Sequence, residues 1–558
     1  MKNGFKILMA CMIFAAAAAA QVPSIAALAN NYSYIPTGLP NYGIAQGSIF
    51  SIFGSFPNVA SSPLQGVPLA TKVNGVSVNV TVGSTTTSAI IYYVSTTLID
   101  AILPSGTPVG SGTLTVVTPN TNTANIPITV VQSAFGILTL NQGGTGAAWA
   151  FDANNGYATI GYATAANPGD TIVFYGTGLG PVTGDETQTQ AQTNLSLPIE
   201  VDIGGAVAKV DYHGRTVFPG LDQVNVEVPA GVSGCNVSLV VKTGNYVSNA
   251  TSIAVAAAGS RTCSDPNTGY STAVLSKCAT SGCSTGGINI SKTTTTTQGI
   301  SVPGAGTVGG GTSTSDSISA SFYKITAAQA ATGINSSLLT TSIGSCTVIT
   351  FSYTGNNTPN LPTSTFTPLN AGTINVGGAA TTSMAYQNGF YSAISSTGGL
   401  IPATGGTFNF TNGSGGPDIG ALSGASITLG APLTSNVSTI STVTRANGQT
   451  VTWTGGTAGT YVIIWGDSIS QVGTSTTAFV GAYFWCTAPQ SAGSFTVPAS
   501  VLLSLPPTGT LTESGISIPI ASFLTVSNTS NPVSFTAPNL DQGILTGSYA
   551  VSNQVTYK

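Results

Sequence analysis

Val76-Ser77-Val78-Asn79-Val80-Thr81-Val82 places an apolar residue at every second position. That is the period of a β-strand with one buried face and one wet face. Val224-Asn225-Val226-Glu227-Val228 and Ile516-Ser517-Ile518-Pro519-Ile520 repeat the pattern. Pro519 lacks a ladder donor, which places its strand at an edge. Glycine-rich runs such as Gly143-Gly144-Thr145-Gly146 and Asn412-Gly413-Ser414-Gly415-Gly416 separate strands as turns. One short helix is expected, at Ala327 to Ala331. Many short strands between such turns specify an all-β chain of sandwich domains.

An internal repeat divides the first half. Gly47-Ser48-Ile49-Phe50-Ser51-Ile52-Phe53-Gly54 aligns with Gly169-Asp170-Thr171-Ile172-Val173-Phe174-Tyr175-Gly176, and Asp100-Ala101-Ile102-Leu103-Pro104 matches Val226-Glu227-Val228-Pro229 near its end. Two tandem sandwiches are therefore expected, over residues 21–133 and 134–258. Residues 259–308, with three cysteines, the run Thr293 to Thr297 and many glycines, read as a linker or stapled connector. Residues 309–558 form a further β-rich, sandwich-like unit.

The first 20 residues have the form of an export signal: Lys2 and Lys6, then the uncharged apolar run Ile7 to Ala20, closing on Ala18-Ala19-Ala20 before Gln21. The run is shorter than the ~20 residues a bilayer-spanning helix needs. Cleavage before Gln21 and an extracellular or cell-surface location are expected, with no integral membrane segment in the mature chain. Of seven cysteines, Cys11 lies in this segment. The other six, Cys235, Cys263, Cys278, Cys283, Cys346 and Cys486, suit disulfides, with 15 connectivities open in principle. Cys346 and Cys486 are expected to pair, being the two cysteines of the last unit. Zinc would need four ligands in close pairs, which neither the Cys278/Cys283 spacing nor the single histidine, His213, supplies.

The stretch Phe174-Tyr175-Gly176-Thr177-Gly178-Leu179-Gly180-Pro181-Val182 resembles the signature of a domain found in secreted proteins of Solibacter-type acidobacteria, as do Val201-Asp202-Ile203-Gly204-Gly205 and Gln223-Val224-Asn225-Val226-Glu227-Val228-Pro229. Gly47 to Gly54 resembles IPT/TIG immunoglobulin-like domains. Cys263-Ser264-Asp265-Pro266, Val451-Thr452-Trp453-Thr454-Gly455-Gly456 and Asn539-Leu540-Asp541-Gln542-Gly543 resemble a companion region of the same proteins. The resemblance implies tandem Ig-like domains and secretion. It implies no activity.

Charge is scarce. Asp, Glu, Lys and Arg make up 5% of 558 residues, while 42% are hydrophobic and the formal net charge is −4. Ordinary globular proteins carry about 25% charged residues. The apolar content argues against disorder. Neither a basic patch for nucleic acid nor a polybasic lipid-binding segment is present. Wet faces must be built from Ser, Thr, Asn, Gln and Gly.

Catalytic candidates are few. His213 stands alone in Asp211-Tyr212-His213-Gly214-Arg215, with no serine motif around it, and reads as a surface turn residue. A glycosidase needs two carboxyls about 5–10 Å apart. Asp202, Asp211, Asp222, Glu227 and the loop pair Asp185-Glu186 are the acids to weigh, the loop pair also for calcium, though without EF-hand spacing. Gly176-Thr177-Gly178-Leu179-Gly180 is followed by Pro181 rather than a helix, so it reads as a turn or bulge, not a phosphate cradle. Trp453, Trp465 and Trp485 are the possible ligand-contact aromatics, weighed against core packing.

No cofactor is expected. The expected role is non-enzymatic adhesion or binding to an extracellular glycan, matrix or surface protein. The alternatives are a polysaccharide-active enzyme with the C-terminal unit as catalytic module, and a self-assembling structural subunit whose edges carry few charges.

Overall fold

The computed structural model describes residues 22–558 apart from 120, 303–305, 328, 331–340, 355–365, 474, 476 and 514–515. The export segment and Cys11 lie outside the described residues. The chain is all-β. In the first sandwich, strands Ser24–Asn30, Ile49–Ser55, Leu98–Ile102 and Ile90–Val94 form one sheet, and Ser77–Val82 lies between Gly110–Val117 and Thr85–Ser88 in the other. Alternation explains the packing: Val76, Val78 and Val80 are buried, while Ser77, Asn79 and Thr81 are partly exposed.

The second sandwich uses the aligned residues alike. Thr171–Thr177 pairs with Asp222–Glu227 as Ile49–Ser55 pairs with Leu98–Ile102. Its second sheet is built on Gly234–Thr243, flanked by Ile199–Ile203 and Thr251–Val255. Phe174, Val224, Val226, Val201 and Leu239 meet in the core between the two sheets.

The connector expected over 259–308 is replaced by regular structure. Ser271 caps a helix, Thr272–Ser281, by accepting from the Val274 N–H. Cys283–Thr297 is then a 15-residue strand inside a ten-stranded sheet. It runs antiparallel to Gly311–Ile325 and parallel to Leu540–Gln554. The threonine run is strand because β-branched residues suit a pleated, half-buried surface. Alternate members face the two sides of a sheet, so composition alone disguised them as linker. Ala327, Gln329 and Ala330 are helical, where a short helix was expected.

One face of the ten-stranded sheet carries two cores. Ile288, Ile290, Ile318, Phe322 and Leu545 pack under the small sheet containing Gly406–Thr411. Val462, Ile464, Phe484, Leu524 and Val526 pack under Gln449–Gly455 and the short helix Ala499–Leu503. Three disulfides staple the molecule: Cys235–Cys263, Cys278–Cys283, and Cys346–Cys486 between neighbouring strands.

A fragment beginning at residue 309 lacks the strand between Gly311–Ile325 and Leu540–Gln554. It is expected to be insoluble or unfolded, whereas one beginning at residue 259 folds; circular dichroism and thermal melting of the two compare them. Non-reducing peptide mapping should recover the three cystine pairs, and loss of the Cys346–Cys486 bridge, which closes 140 residues, should cost about 4–5 kcal/mol by loop entropy.

Candidate functional site

The acids singled out from sequence do not gather. Asp211 and Glu227 share Lys209, at 2.9 and 3.5 Å. Asp202 lies within 3.5 Å of Ser500 Oγ. Asp185 accepts from the Thr187 N–H and hydroxyl, and Glu186 from the Ser105 N–H and hydroxyl at 2.7 and 2.8 Å. Among the described residues no three His, Cys, Asp or Glu side chains are grouped to hold a metal ion. His213 lies within the strand Lys209–Arg215, not at a turn, and its Nε2 is 3.1 Å from the Leu197 carbonyl.

Asp222 is instead structural. It is fully buried, and its Oδ2 accepts from the Gly178 and Leu179 N–H groups, each at 2.8 Å. Gly178 has φ +104°, and a Cβ there would lie 2.4 Å from the Ala134 carbonyl, so the Gly-Thr-Gly-Leu-Gly run holds this turn only with glycine. Buried Arg215 completes the unit. Its Nη1 donates to Gly47 O in the first sandwich at 2.6 Å, and its Nη2 to Gly180 O at 3.0 Å. Nε and Asp222 Oδ1 are 3.2 Å apart but not aligned as a hydrogen bond, so the attraction there is ionic. Thr177 Oγ1 adds a bond from the Ile49 N–H, and Asn30 one to Ala134 O. The glycine turn lies at the junction between the two sandwiches.

Exposed aromatics mark the binding candidate. Trp453 does not belong to it: it is 4% exposed, lies in a core, and donates Nε1–H to Gln490 O at 2.8 Å. It alternates in phase with buried Val451, which turns it inward. Trp465 and Trp485 point the other way. They are direct cross-strand partners on Tyr461–Gln471 and Ala478–Pro489, both partly exposed, on the sheet face opposite the cores. Tyr483 lies 5.9 Å from Trp485. Phe351 stacks on Tyr483 at 4.9 Å, and Tyr353 on Phe479 at 5.0 Å. Trp465, Trp485 and Tyr483 belong to none of the apolar cores.

Asp467 sits opposite Tyr483 and Phe523 in the same row. Burial pushes its carboxyl up to about 7, against the single lowering effect of the Phe523 N–H. Next to the aromatics, on the same side of the sheet, Thr525 and Ser552 are buried and bonded to each other at 2.8 Å, and the partly exposed Ser291 and Thr293 lie beyond. Elsewhere a cleft of about 410 Å³ opens where Ser426–Leu429 meets Thr457, Thr460, Asn528 and Tyr549; no carboxylate lines it. The sequence placed Trp465 and Trp485 among the candidates. It missed Tyr483, Phe351 and Asp467, because their adjacency depends on which strands pair.

No family model and no curated protein matches the chain. Among solved structures it is similar to the full extracellular region of plexin A4, at 9% identity and TM-score 0.16, over 40% of this chain and 17% of that one. A Bacteroides ovatus protein, SGBP-B of a mixed-linkage glucan utilization locus in complex with a heptasaccharide, is similar at 10% identity and TM-score 0.12, over 86% and 98% of the chains. Domains 4–9 of the surface layer protein SbsC are similar at 11% and 0.12, over 94% and 66%. The chain thus spans under a fifth of the plexin's length.

Two measurements follow from the buried acids. Burial raises the carboxyls of Asp222 (to about 6) and Asp467 (to about 7), and likewise those of Asp100, Asp202, Asp265 and Glu186. A folded pKa above the unfolded one adds stability that is complete below the unfolded value and lost as pH rises through the folded one. The melting temperature should therefore fall as pH rises from about 4 to about 7, and Asp467→Asn should flatten that fall. In denaturant titrations, Arg215→Ala or Asp222→Ala should each cost about 3–5 kcal/mol, and Arg215→Met with Asp222→Leu should recover little of it, because the Gly178 and Leu179 N–H groups and the Gly47 and Gly180 carbonyls lose their partners.

Proposed function

We propose that this chain is an exported, non-enzymatic binding protein that holds uncharged glycan on the aromatic face of its ten-stranded sheet. The observation that carries the reading is the cross-strand pair Trp465–Trp485, partly exposed and continued by Tyr483 on a face that carries no core. Flat rings offer dispersion and CH–π contact to the apolar faces of pyranoses, while a ring edge or hydroxyl keeps a polar partner. Ser291 and Thr293, partly exposed farther along the same side of the sheet, supply neutral donors and acceptors for sugar hydroxyls. The scarcity of ionic groups fits an uncharged ligand better than a phosphate or acidic polymer.

Export is supported by the N-terminal segment, by six cysteines joined as three disulfides, and by the resemblance of Gly176–Val182 to secreted proteins. No described helix is long and apolar enough to cross a membrane. A second reading, self-assembly, has one observation in its favour: strand Cys346–Thr354 carries no charged residue and has a single strand partner, Ala478–Pro489, among the described strands.

Affinity electrophoresis of the purified chain in gels containing neutral polysaccharides tests the first reading. Retention should fall about tenfold in Trp465→Ala/Trp485→Ala. It should change little between about 50 and 300 mM salt, since few charges are there to be screened. Release of reducing ends by the wild type, abolished by Asp467→Asn, would replace binding with hydrolysis. Filaments in negative stain without retention on any polymer would favour assembly.

A further inference from the structure

The second sandwich carries an aromatic group of its own, on the outer face of the sheet whose inner face is core. Ala150–Asp152 pairs with Thr171–Thr177, which pairs with Asp222–Glu227. The strand period turns Ile172, Phe174, Val224 and Val226 inward. It leaves Phe151, Val173, Tyr175, Gln223 and Asn225 outward, with Trp149 just before the first strand. Trp149 is 40% exposed, and Tyr157 beside the group 62%. Trp149 and Phe151 have centroids 5.9 Å apart, and Phe151 and Tyr175 meet edge to face at 6.1 Å.

An amide row flanks the rings. Tyr175 is the cross-strand partner of Gln223, and Val173 of Asn225. Gln223 donates Nε2–H to Asn225 Oδ1 at 2.8 Å. That bond orients both amides, and it leaves the Gln223 Oε1 acceptor and the Asn225 Nδ2 donors without a protein partner among the described residues. Charges stay at the rim and are mutually paired: Lys209 with Asp211 and Glu227, and Arg261 with Asp152 and Asp170. A ring stripe beside a pre-oriented amide stripe, with ionic groups neutralised around it, matches a ligand having apolar flat faces and hydroxyl edges but no charge. We infer that Trp149, Phe151 and Tyr175, with Gln223 and Asn225, form a second binding site for a neutral glycan chain.

The inference shares its ligand class with the proposed function but stands on a different domain and different rings. Two sites on one chain make the second contact intramolecular, so retention on a polymer exceeds that of either site alone. The test uses the full chain with hydroxyethyl cellulose, xyloglucan and galactomannan in affinity gels, with thermal melts to confirm folding. Trp149→Ala/Tyr175→Ala is expected to weaken retention on at least one polymer about tenfold, and Trp149→Phe about twofold or less. Gln223→Ala/Asn225→Ala, which leaves the rings in place, should also weaken it. Trp465→Ala/Trp485→Ala protein should keep residual retention, which added Trp149→Ala removes. If the Trp149 and Gln223/Asn225 variants run as wild type while Trp465→Ala/Trp485→Ala abolishes retention, the second site is overturned and the first stands. If Trp465→Ala/Trp485→Ala is neutral and the Trp149 variant fails to bind, the second site holds and the first falls. No retention of wild type on any of the three polymers overturns both.

Discussion

The Asp222 carboxylate, gripped by two backbone N–H groups of one glycine turn and faced by Arg215, is the interaction on which the N-terminal half turns. Arg215 spends its remaining donors on carbonyls of both sandwiches, Gly47 and Gly180. A buried charge is tolerated only when such partners are complete. The chain has few ionic groups, and it places this pair where two domains must keep one mutual orientation. Glu186 reaching Ser105 repeats the device on a smaller scale.

Away from the junction, neutrality governs. Strand faces that would elsewhere carry lysine and glutamate carry serine and threonine, as in Thr293 paired with Ser315 and Ser291 paired with Ser317. Hydroxyls satisfy one another across strands, as Thr525 does with Ser552. Such a surface exerts little long-range electrostatic pull. It binds, where it binds, by contact: rings, amides and hydroxyls. Both aromatic groups lie on sheet faces whose opposite sides are core, so a rigid sheet holds most of their rings in register.

Much of the fold was legible because alternation is local. Val76 to Val82 reads as strand from seven residues, and the aligned Gly47–Gly54 and Gly169–Gly176 segments take equivalent places in their sheets. The connector was misread for the same reason. Thr293 to Thr297 has little apolar content, and nothing within fifty residues reveals that Leu540–Gln554 will pair beside it. Trp453 and Trp465 look alike in sequence. The phase of each strand against its core turned one inward to Gln490 O and the other outward to Trp485.

The sequence by itself determined the all-β class and the neutrality of the wet surfaces, which follow from neighbours a few residues apart, and the twofold repeat, which follows from comparing the chain with itself. Tertiary structure alone decided that Asn289 meets Thr546, 257 residues away, that Asp222 closes a domain junction, and that Phe351, Tyr483, Trp485 and Trp465 share one face. Alternation tells each strand which side to bury. It is the closure of long loops around a common core that chooses which strand lies alongside, and therefore which side chains meet.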